Sequence, residues 1–441
     1  MAQATFHFPR GFLWGTATAA HQVEGNNTNN SWWDWEQRSG KIRQGDKSGM
    51  ACDWWRGRWR EDFDRAADGG QNAHRLSIEW GRIQPAPDRW DEAALDRYRE
   101  MLRGLNERGL TPFVTLHHFT DPLWFYEAGS WEQENAPELF VRFVQKSVEA
   151  LKEYASYWIT INEPNLVAAN GYLLGNFPPG KKDLRLTMRV MTNLARAHAA
   201  AYQSIHKLQP TARVGIGIHY AEMIPARSWS PLDRIQAGLI NSALNDFLPS
   251  LLTSGKARVS AWRVAVPEAK NTLDYFGLNY YARELAAFTL DLGKYYSERH
   301  FPPGAEASDS GMFANDPEGM ASALQWARGY KLPIVISENG IEDAEDRLRP
   351  RFIVENLHQV WRAVNEGTPV KAYLHWTLVD NFEWERGWSQ RFGLWELDTN
   401  TQARRKRPSA DLYAEICREN GISSEMVERY APELLPKLFP D

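Results

Sequence analysis

The segment WITINEPN, residues 158–165, joins a short run of strand-forming residues to a polar end. Trp158 to Ile161 are mostly apolar or β-branched, which is typical of a buried strand, and Pro164 ends that pattern. Asn162 and Glu163 therefore stand where the predicted strand ends. A carboxylate in that place either caps a loop or faces a reaction, and this segment alone leaves both interpretations open.

The same unit recurs along the chain, because short strand-like runs alternate with longer stretches of helical periodicity. In the stretch 91–109, for example, apolar residues recur at spacings of three and four, and Gly109 is a C-cap signal. There are eight strand candidates: FLWGTATA from 12, HRLSIEW from 74, TPFVTLHH from 111, YWITINEP from 157, ARVGIGIHY from 212, LDYFGLNYY from 273, PIVISENG from 333 and VKAYLHWTLVDNF from 370.

Eight parallel strands, each followed by a helix, predict an α/β fold of the (β/α)₈ type, a TIM barrel. No linker rich in Pro, Gly or Ser divides the chain, so residues 1–441 are predicted to form a single barrel domain. The segments 36–53, 172–186 and 283–317 are rich in Gly, Pro, Ser and charged residues. We expect them to be long βα loops that form the walls of a site.

Composition excludes several classes of partner. The formal net charge is −5, so no broad basic surface is expected to recruit nucleic acid or an anionic membrane. The basic run RRKR at 404–407 stands alone in an acidic chain and is predicted to be a solvated loop rather than a localisation signal. A neutral small molecule fits this charge balance better than a polyanion.

The cysteines and the N-terminus indicate a reducing compartment. Cys52 and Cys417 are the two cysteines, too few for a disulfide framework, and CDWW lacks the paired spacing of a zinc site. The N-terminal residues lack an apolar signal-peptide core, and no apolar run reaches membrane-spanning length. The sequence therefore predicts a cytoplasmic protein.

Four strand ends carry unusual side chains, and in a barrel the reacting groups lie where strands end at the C-terminal face. The fourth strand ends in Asn162 and Glu163, and the seventh in Glu338. The third ends in His117 and His118, and the eighth leads to Trp376, Asn381, Glu383 and Trp384. Glu163 and Glu338 are far apart in sequence, but both strands point at the same opening.

Two carboxylates at one opening suit glycoside hydrolysis, in which one protonates the leaving oxygen and the other attacks the anomeric carbon or guides water to it. The alternative is that each Glu caps its loop or pairs with an Arg, and the nearby Asn162 and tryptophans make that the less favoured interpretation. Neighbouring strand residues point to opposite faces, so His117 and His118 cannot both bind one ion, and no metal is predicted.

Four motifs, in a fixed order, give the chain a resemblance to a known family. They are FPRGFLWGTATAAHQVEG from residue 8, TINEPN from 160, SENG from 337 and DNFEW from 380. They resemble the N-terminal signature, the acid/base motif, the nucleophile motif and the sugar-binding motif of glycoside hydrolase family 1 β-glycosidases. The similarity covers nearly all of residues 5–420.

The resemblance implies a retaining β-glucosidase without a cofactor, with Glu163 as acid/base and Glu338 as nucleophile. It also implies a non-proline cis peptide between Trp376 and Thr377, and it assigns Arg75 and Tyr281 to positioning Glu338. The residues that it implies for sugar binding are Gln22, His118, Asn162, Tyr281, Trp376, Glu383 and Trp384.

The chemistry of these residues agrees with those roles. The Asn162 amide can donate to the 2-hydroxyl of the sugar, and Gln22 and Glu383 offer acceptors to two neighbouring hydroxyls. Arg75 can keep Glu338 ionised, and hence nucleophilic.

The substrate expected from the resemblance is an unphosphorylated β-glycoside or a short oligosaccharide. Family members that cleave 6-phosphosugars have Ser, with a nearby Lys and Tyr, where this chain has Glu383, Gln390 and Phe392. Phe119 departs from the family by replacing a Trp of the sugar-site wall, and the segment 283–317 matches the family least. The sequence leaves open a homo-oligomer, a non-catalytic carbohydrate-binding member, and an enzyme that mainly transglycosylates.

Overall fold

Eight parallel strands close into a barrel in the computed structural model, which describes residues 4–291 and 297–440. Each strand pairs with the next along the chain, and the last pairs with the first. The strands are β1 (Leu13–Ala17), β2 (Ala73–Ser77), β3 (Thr111–His117), β4 (Tyr157–Asn162), β5 (Arg213–Tyr220), β6 (Phe276–Tyr280), β7 (Ile334–Asn339) and β8 (Val370–Trp376). Seven lie within the predicted runs, β2 begins one residue before its run, and the (β/α)₈ fold is confirmed.

One major helix follows each strand and covers the outside of the barrel. These helices are α1 (Trp59–Asp68), α2 (Glu92–Glu107), α3 (Ala136–Leu151), α4 (Leu184–Leu208), α5 (Phe247–Ser254), α6 (Pro317–Arg328), α7 (Arg349–Asn365) and α8 (Pro408–Glu419). Shorter helices are Ala20–Val23, Ser31–Gln37, Trp80–Ile83, Leu123–Glu127, Pro164–Ala168, Pro231–Ile240, Ser424–Tyr430 and Leu435–Leu438. Two π-helical segments, Ala169–Leu174 and Asn241–Asp246, extend the helices that precede them.

Small sheets lie outside the barrel. Antiparallel pairs join Thr5–His7 to Gly421–Ser423, Lys256–Val259 to Trp262–Ala265, Glu306–Ala307 to Ala314–Asn315, and Trp395–Leu397 to Arg404–Lys406. A three-stranded sheet contains Met223–Pro225, Glu284–Phe288 and Ser297–His300.

Local sequence explains the boundaries of these elements. The Asp91 side chain accepts a hydrogen bond from the Ala94 amide (3.0 Å) and caps α2. Gly109 follows the end of α2 with a φ of +70°, a conformation that glycine adopts without steric cost. In β4, Trp158, Ile159 and Ile161 are buried, as expected for a strand that is covered on both faces.

The three predicted loop segments lie in βα connections, except that 172–186 includes the first residues of α4 and 283–317 the first residue of α6. The longest, 283–317, also contributes strands to the small sheets, and its residues 292–296 lie outside the described residues. No helix in residues 4–291 and 297–440 has the length and apolar composition needed to span a membrane.

The prediction of a solvated loop at 404–407 is wrong for two of its arginines. Arg404 lies in a short strand, and its fully buried guanidinium contacts Asp62 at 3.0 Å. Arg407 is also buried and forms two 2.9 Å bonds with Asp380. Local sequence could not reveal these pairs, because both carboxylates come from other parts of the fold.

Candidate active site

The candidate site is a cavity of about 320 Å³ at the C-terminal end of the barrel. Seven of the ten predicted site residues line it: His118, Glu163, Tyr281, Glu338, Trp376, Glu383 and Trp384. The other three, Gln22, Arg75 and Asn162, are fully buried and hydrogen-bond to residues of this lining. The fold therefore brings all ten predicted residues together.

Glu163 follows the last residue of β4, in a left-handed conformation with a φ of +46°. This backbone region is uncommon for a residue other than glycine and is found most often at functional sites. The carboxyl group is nearly fully buried, and its Oε1 accepts a hydrogen bond from Asn279 Nδ2 (2.9 Å). Nδ1 of His219 lies 3.4 Å from the same oxygen.

Glu338 lies in β7 and has a different set of donors. Its Oε1 accepts from Arg75 Nη1 (2.6 Å), and its Oε2 accepts from the Tyr281 hydroxyl (2.8 Å). Burial raises the pKa of Glu338 to about 7; the Arg75 charge opposes this rise, and the facing Glu163 adds to it. Within the carboxylate pair, the cation and the phenol favour the charge on Glu338.

Arg75 holds several of these groups in place, because its planar fork has donors in fixed directions. Nε donates to Thr115 Oγ1 (2.9 Å), and Nη2 donates to Asn162 Oδ1 (2.6 Å). The carbonyl of Asn162 is thereby occupied, and its Nδ2 remains as the donor group. Arg75 thus orients both Asn162 and Glu338 from beneath the cavity.

His118 has a defined tautomer at this site. Burial holds the pKa of His118 well below its usual value, and the charges of Arg75 and His117 act in the same direction. Nε2 of this neutral ring lies 3.1 Å from Nδ2 of Asn162, which can only donate, so the ring proton belongs on Nδ1. Nδ1 is buried without a partner among the described residues and is a free donor for a ligand hydroxyl.

Gln22 and Glu383 form a second polar group. Gln22 Nε2 donates to Asn381 Oδ1 (3.0 Å), to the Phe382 carbonyl (2.8 Å) and to Glu383 Oε2 (3.2 Å). Its Oε1 is buried and has no partner among the described residues. Burial raises the pKa of Glu383 well above its usual value, and the charges of Glu385 and Glu338 raise it further. Gln22 Oε1 is thus an acceptor without a donor among the described residues, which is what the hydroxyl of a polyhydroxylated ligand supplies.

Aromatic rings form a wall of the cavity. The ring of Trp384 stacks on His118, with centroids 5.8 Å apart and planes 17° apart. Phe119, the residue that departs from the family pattern, packs edge-on against Trp384 at 5.0 Å and also contacts Phe177. A non-proline cis peptide joins Trp376 to Thr377, as the resemblance implies.

Two residues that the sequence analysis missed contact Glu163. They are Asn279, in β6, and His219, in β5. Polar residues at strand ends were the signal used for the other strands. The same signal in LNYY and GIHY would have identified both.

The two adjacent histidines lie on opposite sides of the strand end, as predicted. His117 Nε2 contacts Asp121 at 2.8 Å, whereas His118 faces the cavity. Within residues 4–291 and 297–440, no group of three or more His, Cys, Asp or Glu side chains is arranged to hold a metal ion.

The far side of the cavity is more charged than the sequence indicated. Gln390 and Phe392 line it close to Glu383, as expected, but so does Arg386. The Nε of Arg386 lies 3.0 Å from Glu385 Oε1, so this cation is already paired.

Comparisons with known proteins agree with this geometry. The profile of Glycosyl hydrolase family 1 matches residues 4–422. Beta-glucosidase A of Thermotoga maritima is 31% identical over 94% of the chain and 98% of that protein. A beta-galactosidase of Saccharolobus solfataricus is 30% identical over 96% of the chain and 97% of that protein.

Solved structures match over the same extent. A beta-glycosidase from Pyrococcus horikoshii superimposes with a TM-score of 0.90, at 35% identity, over 97% of this chain and 98% of that chain. The beta-glucosidase from Thermotoga maritima in complex with glucoimidazole superimposes with a TM-score of 0.88, at 29% identity, over 95% of this chain and 100% of that chain.

Proposed function

The chain belongs to glycosyl hydrolase family 1, and we propose on that basis that it is a retaining β-glycosidase. Its substrates are unphosphorylated β-D-glucosides, with β-fucosides and β-galactosides also accepted, and residues 1–441 act as one catalytic domain. The observation that carries the proposal is the unequal treatment of two buried carboxyl groups in one cavity. Glu338 accepts hydrogen bonds from Arg75 and Tyr281, whereas Oε1 of Glu163 accepts one from the neutral amide of Asn279.

In the first step, Glu338 attacks the anomeric carbon while the bond to the leaving oxygen breaks. Glu163 transfers its proton to that oxygen, and a covalent glycosyl-enzyme forms. In the second step, water attacks the anomeric carbon, Glu163 takes a proton from the water, and Glu338 is released. Two inversions at one carbon retain the β configuration.

The sugar itself is held by the groups that have unused donors and acceptors. Asn162 Nδ2 is the donor for the 2-hydroxyl, an interaction that strengthens as positive charge develops on the ring. Gln22 Oε1 and the Glu383 carboxylate accept from hydroxyls on the opposite side. An acceptor between two hydroxyls serves either orientation at carbon 4, so we expect glucosides and galactosides to differ by only about 1–2 kcal/mol.

Glu383 also argues against a 6-phosphoglycoside. A phosphate at that place would meet the carboxylates of Glu383 and Glu385, and Arg386 is already paired with Glu385. Glu383→Ser should weaken glucoside hydrolysis strongly, and fucoside hydrolysis less, because fucose lacks the 6-hydroxyl. A wild-type preference for a nitrophenyl 6-phosphoglucoside over the plain glucoside would contradict this assignment.

The decisive experiment removes the proton donor. Glu163→Ala should still react with dinitrophenyl β-glucoside, whose leaving group needs no proton, while cellobiose hydrolysis nearly stops. Added azide should accelerate turnover and give the β-glycosyl azide. Equal losses on both substrates without azide rescue would refute the role of Glu163, and would favour a carbohydrate-binding protein if wild type is also inactive.

Two further measurements separate the remaining alternatives. A 2-fluoro β-glucoside with a good leaving group should label the peptide that contains Glu338, and labelling of Glu163 would reverse the two roles. Product analysis at high substrate concentration distinguishes hydrolysis from transglycosylation, since a second sugar then competes with water for the glycosyl-enzyme.

A further inference from the structure

His219 lies beside the proposed acid/base residue and has no role in the steps above. It is the penultimate residue of β5 and pairs in register with Asn279 of β6. Its side chain is 17% exposed and lines the cavity. Nδ1 is 3.4 Å from Glu163 Oε1 and makes no aligned hydrogen bond with any described residue. The contact between the two side chains is therefore one of charge.

Carboxylates face this imidazole from three elements. Glu163 follows β4, Glu338 lies in β7, and Glu284 begins the strand Glu284–Phe288, which lines the cavity. Burial works to lower the pKa of His219, but the contact with Glu163 and the charges of Glu163, Glu284 and Glu338 outweigh burial and raise it.

The other neighbours of the ring leave this balance in place. Tyr281 stacks on it, with centroids 6.3 Å apart and planes 25° apart, and adds no positive charge. Arg75 is engaged with Glu338, and Arg299 Nη1 lies 3.6 Å from Glu284. Glu284 Oε2 is buried without a hydrogen bond from any described residue, so its charge is only partly compensated. A proton on His219 supplies positive charge that offsets the rest of the Glu284 charge.

We propose that His219, in its imidazolium form, is a positioning residue that stabilises the ionised carboxylate of Glu163, and that Glu284 helps to keep this imidazole protonated. The proposal rests on the proposed function, because it requires Glu163 to give up a proton during the reaction.

His219 stabilises Glu163 during proton transfer, when negative charge develops on the Glu163 carboxyl group. When the proton of Glu163 passes to the leaving oxygen, a carboxylate forms 3.4 Å from the His219 ring. A preorganised cation at that distance stabilises the product of proton transfer, and hence the transition state that leads to it. His219 keeps its own proton throughout, and the water of the second step returns a proton to Glu163.

The contribution of His219 to the rate should therefore depend on the leaving group and on pH. Stabilising the Glu163 carboxylate matters for an alkyl glucoside, whose leaving group must be protonated, and hardly at all for a dinitrophenyl glucoside. As pH rises through the raised pKa of His219, the ring loses its charge. The rate on alkyl glucosides should then fall, apart from any other titration.

The test is His219→Asn, which keeps an amide donor and removes the charge. We expect kcat/KM for methyl β-glucoside to fall about tenfold, as loss of one charged contact would cause, and that for dinitrophenyl β-glucoside to change less than about twofold. The decline of the alkyl-glucoside rate that follows the titration of His219 should disappear, while the decline that follows ionisation of the proton donor Glu163 remains. Glu284→Gln should leave the decline that follows His219 present but move it to lower pH.

The matched control is His206→Asn. His206 forms another His–carboxylate contact, with Nε2 2.9 Å from Asp274, and it lies outside the cavity lining. This variant should alter neither the leaving-group dependence nor the pH profile. It thereby separates the loss of any His–carboxylate pair from the loss of the one beside Glu163.

The proposal is overturned if His219→Asn changes neither the leaving-group dependence nor the pH profile. It is also overturned if this variant lowers the rates on both substrates equally and keeps the same pH profile. If that variant does not fold, Glu284→Gln decides: an unmoved decline overturns the proposal. Azide rescue of Glu163→Ala reports separately on the proposed function. With rescue present and His219→Asn silent, only the role of His219 fails.

Discussion

Buried carboxylates occur in two regions of this molecule, and the two regions treat them differently. After β8, the buried Asp380 has a partner of its own, because Arg407 makes two 2.9 Å bonds to it and the Gly393 amide adds a third at 2.8 Å. In the cavity, three carboxyl groups lie together, Glu163, Glu338 and Glu383, and of these three only Glu338 accepts a hydrogen bond from the buried guanidinium of Arg75.

The difference distinguishes a carboxylate that holds the fold together from one that does chemistry. Matching each buried charge with one cation fixes the ionised state and leaves no proton to exchange. Burial raises the pKa of Glu338 to about 7 and that of Glu383 well above its usual value, and neighbouring carboxylates add to both shifts. Carboxyl groups whose pKa is shifted in this way inside a cavity are candidates for a functional site.

The largest expected effect is on activity at the cavity. Glu338→Gln should lower kcat/KM for nitrophenyl β-glucoside by at least about 10⁴-fold, because the proposed nucleophile is lost. The free energy of unfolding in urea should fall less than at the paired carboxylate described next, since the amide oxygen can still accept from Arg75 and the other carboxyl groups of the cavity remain. A strongly destabilised but active variant would reverse the distinction between the two regions.

The next effect concerns stability at the paired carboxylate. Arg407→Met leaves Asp380 buried without its cation and should lower the free energy of unfolding by about 3–5 kcal/mol. Urea denaturation measures this loss, and adding Asp380→Asn should restore part of it. If the double variant is no more stable than the single one, the pair does not act as a unit.

The third effect is a shift of the pH profile. The charge of Glu163 raises the pKa of Glu338, so Glu163→Gln should lower that pKa. Because the nucleophile must be ionised, the rate on dinitrophenyl β-glucoside falls as pH drops through this pKa. In the variant, that fall should move to lower pH by about one unit. Movement to higher pH would show that the two carboxyl groups do not repel each other.

The smallest effect is expected at an exposed pair. Arg405 contacts Glu396 across the antiparallel pair of Trp395–Leu397 and Arg404–Lys406, and its side chain is 81% exposed. Arg405→Met should change the free energy of unfolding by less than about 0.5 kcal/mol, because solvent screens such pairs. Comparison with Arg407→Met in the same urea titrations sharpens the contrast, since the two arginines are two residues apart.

The barrel could be predicted from the sequence because each strand carries its own local signature. The run of β4 is apolar and β-branched and ends in polar residues, and short strand-like runs recur at the other seven strands. Parallel strands of one barrel end at one face, so the meeting of Glu163 with Glu338 followed from topology alone. No knowledge of side-chain contacts was needed.

What the sequence could not give is the set of partners. Arg404 and Arg407 look like solvated charges in RRKR, and only the fold brings them to Asp62 and Asp380. Arg386 likewise lines the cavity and is paired with Glu385. The identities of Gln390 and Phe392 did not predict this pair. Contacts of this kind depend on tertiary distance, which local periodicity does not encode.

Closure of the barrel between β1 and β8 has a consequence for folding during synthesis on the ribosome. Gln22 Nε2 bonds to Glu383, 361 residues away along the chain, so the two sides of the proposed sugar site are synthesised far apart in time. At about 5–20 residues per second, a ribosome leaves the edge of β1 unpaired for roughly 20–70 s before β8 emerges. A nascent chain in that interval exposes strand edges that chaperones recognise, and a polypeptide cut short before β8 has no closed ring in which to hold a sugar.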